Sequence, residues 1–93
     1  AVRGLEFEWD EDKAIANLEK HDVSFAEATT VFADALSLTI EDPDHSLGEE
    51  RCIILGMSIG QRLLVVAYTE RRDIIRLISA RVATRSERRN YEQ

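Results

Sequence analysis

The spacing of apolar residues changes near residue 34 of this chain, and that change limits the folds it can form. Between residues 10 and 33 apolar side chains recur at helical spacing, as in Ala14, Ile15 and Leu18. After residue 34 they alternate with polar side chains, as in Leu36, Leu38 and Ile40, which is typical of half-buried β-strands. The sequence therefore predicts helices followed by a sheet, the pattern of an α+β protein.

The first half predicts one short strand and two helices. Residues 5–9 alternate between apolar and acidic and predict a strand. Asp10 is expected to cap a helix that ends near His21, with acids in its first turn and cations in its last. Ser24 and Glu27 have the spacing of a capping box, in which each side chain accepts from a free backbone N–H. The second helix is indicated by helical spacing of Phe25, Ala28, Val31 and Phe32.

The second half predicts four more strands and a closing helix. The strands are expected at residues 36–40, 51–58, 61–69 and about 73–80, and the helix at 83–92. Residues 41–50 are expected to form a polar loop. Short connections between consecutive strands favour antiparallel pairing. The predicted fold is a mostly antiparallel twisted sheet with the two N-terminal helices packed on it and a short C-terminal helix.

The length and composition exclude several classes of protein. Ninety-three residues are expected to form one domain, 1–93. Residues 1–4 are expected to be a processed or added segment without a functional role. A single cysteine, Cys52, fits a reducing cytoplasm, and the longest apolar stretch, 63–67, is too short to span a membrane. His21, His45 and Cys52 lack the spacing of metal ligands, and no cofactor motif occurs, so we expect neither.

The charges are divided unevenly between the two halves. Residues 1–50 carry 3 Lys/Arg and 14 Asp/Glu, whereas residues 51–93 carry 9 Arg, no Lys and 4 acids. Arginine presents a planar fork of donors that binds phosphate bidentately, which lysine cannot do. An arginine-only second half therefore suggests a phosphate ligand, although a solvated surface is the simplest explanation for any one of these residues.

Two arginines lie in the last predicted strand or directly after it, namely Arg76 and Arg81. Both sides of that strand are largely apolar, which predicts a central position in the sheet. Arg76 and Arg81 must there meet an acidic partner, an anion or the open face of the sheet, and the sequence does not decide between an ion pair and a phosphate ligand. Because the two residues have opposite parity, they share one face only if a bulge or a strand end lies between them.

Clustered arginines beside a tyrosine or histidine suit phosphoryl transfer on RNA. The RNA supplies its own nucleophile, the 2′-hydroxyl, and the protein must orient it and stabilise charge on the phosphate. His45 lies among acids that would raise its pKa towards neutrality, although a loop histidine is more often a surface residue. The closing helix carries a basic ridge, either a solvated face or a surface for a partner, formed by Arg85, Arg88 and Arg89.

Motifs spread over residues 7–91 resemble the BrnT family of bacterial type II toxins. Several lie in the first half, namely Phe7-Glu8-Trp9-Asp10 with Lys13 and Asn17, the run from Lys20 to Ala28, Val31-Phe32, and Asp44-His45-Ser46. Others lie in the second half, namely Glu50-Arg51, Arg62 to Val66, Tyr68-Thr69, Ile78 to Arg81 and Glu87-Arg88. Asp22 stands where the family typically places Gly, and Asp also tolerates a left-handed backbone.

The resemblance implies a RelE-like fold and an activity, the cleavage of RNA that stops translation. It also implies a partner, a BrnA-like antitoxin whose ribbon-helix-helix domain dimerises and binds operator DNA. Two toxins and two antitoxins would form the complex, and the toxin would reach DNA only through the antitoxin. The alternative is a non-catalytic protein- or RNA-binding module, which the net charge of −6 favours.

The resemblance and the residue pattern together suggest roles for individual side chains. Arg81 and Arg76, followed by Arg51, are expected to bind phosphate or stabilise charge in the transition state. Tyr68 and His45 are candidates for proton transfer or base stacking. The candidate RNA contacts are Lys13, Lys20 and Arg62, and the candidate partner contacts are Arg85, Arg88 and Arg89.

Overall fold

A five-stranded sheet forms the centre of the protein in a computed structural model, which describes residues 5–41 and 51–93. The described elements in chain order are β1 (Glu6–Glu8), α1 (Glu11–His21), α2 (Phe25–Thr29), a 3-10 helix (Thr30–Ala33), β2 (Leu38–Glu41), β3 (Arg51–Met57), β4 (Leu63–Arg71), β5 (Ile74–Val82) and α3 (Arg85–Glu92). The predicted α+β class is confirmed. The expected loop lies almost wholly outside the described residues.

The strands are ordered β1-β5-β4-β3-β2 across the sheet. The three pairs β2–β3, β3–β4 and β4–β5 are antiparallel, and β1 runs parallel to β5. The sheet is therefore mixed but mostly antiparallel. The last strand lies between β1 and β4, so its predicted interior position is confirmed.

Helix α1 begins and ends as its sequence predicts. The Asp10 carboxylate accepts the backbone N–H groups of Asp12 at 2.8 Å and Lys13 at 3.2 Å, which satisfies donors that the first helical turn leaves free. Asp22 follows the last turn with φ of 58°, and its N–H bonds to the carbonyl of Leu18. Asp22 thus adopts the left-handed conformation that usually favours glycine at a helix end.

The second helix is shorter than predicted, and its expected capping box is only half formed. The Ser24 hydroxyl accepts the Glu27 N–H at 3.0 Å. The second predicted bond of the box, in which the Glu27 carboxylate accepts the backbone N–H of Ser24, is wrong. That carboxylate instead accepts hydrogen bonds from Arg62 and Ser58. Helix α2 ends where the hydroxyls of Thr29 and Thr30 bond carbonyls three residues earlier, and the chain tightens into the 3-10 helix.

Strand boundaries differ from the sequence prediction by at most two residues. Strand β2 starts at Leu38 because Asp34 accepts the N–H of Leu36 at 3.0 Å and holds a turn there. Strands β4 and β5 are joined by Arg72 and Asp73, whose φ values are 53° and 72°. Two positive φ angles in succession match the twist of a two-residue hairpin.

The two faces of the sheet are covered differently. The face that we call the α1 face packs against α1, α2 and the 3-10 helix, and its sheet residues are Ile54, Leu64, Val66, Tyr68, Ile75, Leu77 and Ala80. The opposite α3 face has a smaller apolar cluster of Leu55, Leu63 and Val65, packed partly under Tyr91 of α3. None of the helices in the described segments has the length and apolar character needed to cross a bilayer.

A buried asparagine fixes α1 on the α1 face. The Asn17 amide donates to the carbonyls of Val23 and Ala80, both at 2.9 Å, and its oxygen accepts the Ala80 N–H at 3.1 Å. All the donors and acceptors come from backbone that is itself buried, so the amide is satisfied where water is excluded. This contact sets the position of α1 relative to the end of β5.

Candidate functional site

A bulge in β5 puts Arg76 and Arg81 on the same face of the sheet. The register with β4 shifts between Ala67 and Tyr68, which leaves Ile78 as an extra residue in β5. Successive side chains of a strand point to opposite faces of the sheet. One extra residue therefore reverses which positions beyond it point to which face. Both arginines therefore lie on the α3 face, and the bulge that their opposite parities require is confirmed.

Arg51 reaches the α3 face through cross-strand pairing. Thr69 of β4 pairs with Arg51 of β3 on one side and with Arg76 of β5 on the other. Directly paired residues lie side by side on the same face. Because neighbouring strands are about 4.8 Å apart, the Cα atoms of the two arginines are roughly 10 Å apart. The three residues form one row across the sheet.

One further row of side chains lies between this row and Arg81. In the next row Ala67 pairs with Ser79 of β5 and with Ile53 of β3. Arg81 pairs with Val65 in the row beyond. The arginines thus border a row in which Ser79 is exposed and Ala67 and Ile53 are half-buried.

Arg76 is partnered by an acid at the edge of the sheet. Its Nη1 atom donates to the Glu8 carboxylate at 2.9 Å, and the two side chains are 50% and 49% exposed. Ion pairs between such exposed groups contribute little to stability, on the order of 0–1 kcal/mol. An anionic ligand can therefore compete with Glu8 for this guanidinium.

Arg81 has a more specific acidic partner on α3. Its Nη1 and Nη2 atoms donate to the two carboxylate oxygens of Glu87, each at 2.9 Å. These bonds from Arg81 are the main reason that the pKa of Glu87 falls from 4.5 to about 2, and the pair raises the pKa of Arg81. Glu87 therefore stays ionised near neutral pH and holds the guanidinium in one orientation.

Arg62 lies on the other face and is part of the structural framework. Its Nε and Nη2 atoms donate to the Glu27 carboxylate, and Nη2 also donates to the Asp22 carbonyl at 3.0 Å. The Ser58 hydroxyl donates to the same carboxylate at 2.6 Å. The hydrogen bond from Arg62 lowers the pKa of Glu27 most, and the hydrogen bond from Ser58 lowers it further. The structure does not bring Arg62 together with Arg51, Arg76 and Arg81.

Tyr68 also lies on the α1 face. It is 6% exposed, and its ring meets that of Phe32 edge-on with centroids 5.0 Å apart. Burial, followed by the proximity of Cys52, raises the pKa of Tyr68 to about 12. The sheet separates this hydroxyl from the three arginines, so the described structure places Tyr68 in the core.

The remaining candidates are not gathered around the arginine surface. Lys13 and Lys20 are exposed on α1, seven residues apart and hence on one side of the helix. Because α1 packs on the α1 face, both lysines are across the sheet from Arg76. His45 lies outside the described residues.

The arginines of α3 are exposed around the outside of that helix. Arg85, Arg88 and Arg89 are all exposed, and Arg88 forms a long ion pair of 3.9 Å with Glu92. Tyr91 fastens the end of the helix to the body, because its hydroxyl donates to the Asp34 carboxylate at 2.6 Å. The basic ridge that the sequence predicts thus remains accessible.

Glu87 and Thr84 are the site residues that sequence reasoning missed. The Thr84 hydroxyl accepts the Glu87 N–H at 3.2 Å, and the Glu87 carboxylate accepts the Thr84 N–H at 2.8 Å. This reciprocal capping box has a local signal, a Thr followed three residues later by Glu, that could have found it. Within residues 5–41 and 51–93 no group of three His, Cys, Asp or Glu side chains could hold a metal ion.

Comparison with known proteins places the chain in a family. Residues 9–87 match the sequence model described as "Ribonuclease toxin, BrnT, of type II toxin-antitoxin system". The solved structures that match include the Brucella abortus ribonuclease toxin BrnT, determined by crystallography, with a TM-score of 0.68 and 20% sequence identity. The match covers 88% of this chain and 100% of the Brucella chain, and at that identity it shows the shared fold. No curated protein matched. The chain therefore belongs to the BrnT family of ribonuclease toxins of type II toxin–antitoxin systems.

Proposed function

We propose that this chain is an endoribonuclease that inhibits translation by cleaving RNA on its α3 face. The family supplies the activity class, a ribonuclease toxin. The observation that supports the location is the convergence of Arg51, Arg76 and Arg81 on one face around Ala67 and Ser79. Planar guanidinium groups along one face of a sheet suit the phosphates of an extended RNA strand.

The proposed reaction needs no metal ion. The 2′-oxygen of a ribose loses its proton and attacks the adjacent phosphorus, the bond to the 5′-oxygen breaks, and the leaving oxygen takes up a proton. The products are a 2′,3′-cyclic phosphate and a 5′-hydroxyl end. Arg81 and its neighbours stabilise the negative charge that grows on the phosphate oxygens. His45 remains a candidate for the proton transfers.

The distribution of charge is compatible with RNA binding despite the net charge of −6. The exposed acids Glu11, Asp12 and Glu19 belong to α1, which packs on the α1 face. The three arginines of the site lie on the opposite face, where Glu8 and Glu87 offset the charge of two of them. Local potential rather than net charge governs the approach of a polyanion, so exposed arginines on this face can attract RNA in a chain that is acidic as a whole.

The partner proposed for this toxin is a BrnA-like antitoxin with a ribbon-helix-helix domain. A type II toxin has a protein antitoxin. The exposed ridge of Arg85, Arg88 and Arg89 suits an acidic segment of such a partner. We propose a complex of two toxins and two antitoxins on a RelE-like toxin fold, with operator DNA contacted through the antitoxin. Size-exclusion chromatography with light scattering measures this stoichiometry.

A second function, a non-catalytic binding module, is favoured by one observation. Arg76 and Arg81 are both paired with carboxylates, Glu8 and Glu87, as in an ordinary structural surface. The two functions predict different results for the purified chain. The enzyme cleaves single-stranded RNA in EDTA and leaves cyclic phosphate ends, whereas a binding module retains RNA intact.

The deciding experiment uses the chain with and without its antitoxin. Inducible expression in a bacterial host should arrest growth, and co-expression of an adjacent ribbon-helix-helix gene should relieve the arrest. Arg81→Ala should abolish both arrest and cleavage in EDTA, and Arg85→Ala is the matched control that removes an exposed arginine four positions away. Intact RNA and normal growth with the unaltered chain would establish the binding module instead.

A further inference from the structure

Glu87 is held in place by the fold independently of Arg81. Its N–H and its carboxylate both take part in the capping box with Thr84, which fixes the first turn of α3. The far end of the same helix is fastened by the hydrogen bond from Tyr91 to Asp34. A carboxylate attached to a helix that is anchored at both ends is a fixed point, to which the long and otherwise mobile arginine side chain conforms.

The way in which Arg81 meets this carboxylate leaves part of the guanidinium available. Glu87 accepts one hydrogen bond from Nη1 and one from Nη2, both at 2.9 Å, and Nη1 also donates to the Val82 carbonyl at 3.4 Å. A guanidinium carries five N–H donors in a planar fork. The remaining donors on Nε and Nη2 form a second edge, for which the described residues supply no hydrogen-bond acceptor. The side chain of Arg81 is 41% exposed.

We infer that Glu87 is a positioning residue that orients Arg81 so that its Nε–Nη2 edge is presented to the scissile phosphate. This inference rests on the proposed function and names a residue that acts through Arg81 without touching RNA. The edge is the geometry that binds two phosphate oxygens at once. Because Arg81 is already oriented before the substrate binds, the entropy cost of ordering a mobile arginine side chain is not added to the reaction barrier.

The charge of Glu87 determines how the effect should divide between binding and catalysis. A carboxylate beside Arg81 partly offsets its positive charge, so Glu87 does not strengthen the initial attraction to RNA. Its benefit is orientation, which is expressed most in the transition state. Loss of the carboxylate should therefore lower kcat while leaving the KM for RNA unchanged or slightly reduced.

The test compares Glu87→Gln with Glu92→Gln in the full chain. Glutamine can still accept the Thr84 N–H but cannot accept from both Nη atoms, so the helix cap survives and the bidentate pair is lost. Cleavage of a labelled single-stranded RNA by Glu87→Gln should show a kcat reduced about tenfold to a hundredfold, with KM changed by less than about twofold. Glu92→Gln removes an exposed carboxylate from the same helix and should match the unaltered chain.

Making Glu87→Gln in a chain that already carries Arg81→Lys tests whether Glu87 acts through Arg81. Lysine keeps the positive charge but lacks the planar guanidinium that Glu87 orients. Adding Glu87→Gln to Arg81→Lys should therefore produce no further fall in kcat. An equal fall in both backgrounds would overturn the inference, as would an unchanged kcat in the single variant. A raised kcat would overturn it too, because Glu87 would then be masking Arg81.

Failure of the inference is distinguishable from failure of the proposed site. Full activity of Arg81→Lys and of Arg81→Ala would remove Arg81 from the site and the inference with it. Loss of activity in those variants, together with full activity in Glu87→Gln, would overturn the inference alone. Circular dichroism and the melting temperature show whether each variant is folded. If Glu87→Gln does not fold, Glu87→Asp takes its place in the test. Aspartate keeps the charge but withdraws the carboxylate from Arg81, so it should lower kcat without changing KM. An unaltered kcat would contradict the positioning role.

Discussion

Arg76 and Arg81 lie on the same face of the sheet although five positions separate them in a strand. The extra residue of the β5 bulge, Ile78, shifts the alternation between them. Bulges frequently re-aim side chains near functional sites. The bulge also lets β5 keep Leu77 and Ala80 buried on the α1 face, so both the core and the arginine surface depend on it.

Removal of Arg51 or Arg76 should weaken RNA binding in a salt-dependent manner. Each arginine that contacts one phosphate releases counterions from the RNA, so its loss should flatten the slope of log K against log salt by about 0.7 for a single strand. We expect Arg51→Ala and Arg76→Ala each to show this change, and to weaken binding similarly for different RNA sequences.

Fluorescence anisotropy with a labelled, non-cleavable RNA that lacks 2′-hydroxyls at the scissile position measures these slopes. Arg85→Ala is the control, since it removes an exposed arginine from the outside of α3. Equal slopes for Arg76→Ala and the unaltered chain would show that the Arg76 guanidinium does not contact phosphate.

Tyr68→Phe should leave RNA cleavage nearly intact. The Tyr68 hydroxyl is on the α1 face among buried residues, and burial raises its pKa to about 12, which suits neither role in a proton transfer near neutral pH. We expect kcat to change by less than about twofold. The melting temperature should change by a few degrees, because the hydrogen bonds of the hydroxyl with Cys52 and Thr39, each worth about 1 kcal/mol, are lost. A kcat reduced a hundredfold in a folded variant would return Tyr68 to the active site.

The elements that the sequence predicts well are those with local causes. Asp10 caps α1 as predicted, because its own side chain accepts the N–H groups two and three positions further along, those of Asp12 and Lys13. The alternation of β5 likewise predicts which arginines need a partner. These features depend on residues a few positions apart, and a single sequence contains that information.

What could not be predicted depends on contacts between distant residues. The position of the bulge is fixed by the register between β4 and β5, not by any residue of β5 alone. Glu27 has the spacing of a capping residue, yet Arg62, 35 positions away, takes its carboxylate. The acidic partners Glu8 and Glu87 likewise become evident only when the strands and α3 are in place. A carboxylate with a choice between a nearby backbone N–H and a distant, partly buried guanidinium bonds the guanidinium, because the charge-assisted hydrogen bond is stronger.

The Glu27–Arg62 contact should contribute to stability and not to RNA binding. It joins α2 to the β3–β4 connection, and the same carboxylate accepts the Ser58 hydroxyl. Arg62→Ala leaves Glu27 without its cationic partner and should lower the free energy of unfolding by about 1–3 kcal/mol. Urea unfolding measures this change.

The same variant tests the role in RNA binding that the sequence suggested for Arg62. If the guanidinium serves only the framework, Arg62→Ala should bind RNA with an unaltered salt slope at a temperature where it is folded. A flattened slope with undiminished stability would instead show that Arg62 contacts phosphate. Glu27→Gln is the matched change on the partner, and it should lower stability in the same direction.

Acid should destabilise the chain, and Glu87 should account for part of that loss. The pKa of Glu87 is lowered in the folded chain from 4.5 to about 2, and those of Glu27 and Asp34 are also lowered, because Arg81, Arg62 and Tyr91 respectively donate to these carboxylates. A carboxyl group with a lowered folded pKa binds protons more readily when the chain is unfolded. Its stabilising effect is thus complete above about pH 4.5 and is lost as the pH falls towards 2.

Glu87→Gln removes one of these titrating groups and should reduce the pH dependence. The unaltered chain should lose stability steadily between about pH 5 and pH 2, and the variant should lose roughly 1–2 kcal/mol less, a figure that allows for solvent screening of the partly exposed pair with Arg81. Urea unfolding at pH 6, 4 and 3, followed by circular dichroism, gives the free energies. Glu92→Gln, which removes an exposed carboxylate from the same helix, should follow the unaltered chain. Parallel curves for Glu87→Gln and the unaltered chain would mean that the Arg81–Glu87 pair does not persist in solution, and Arg81 would then reach RNA as a mobile side chain.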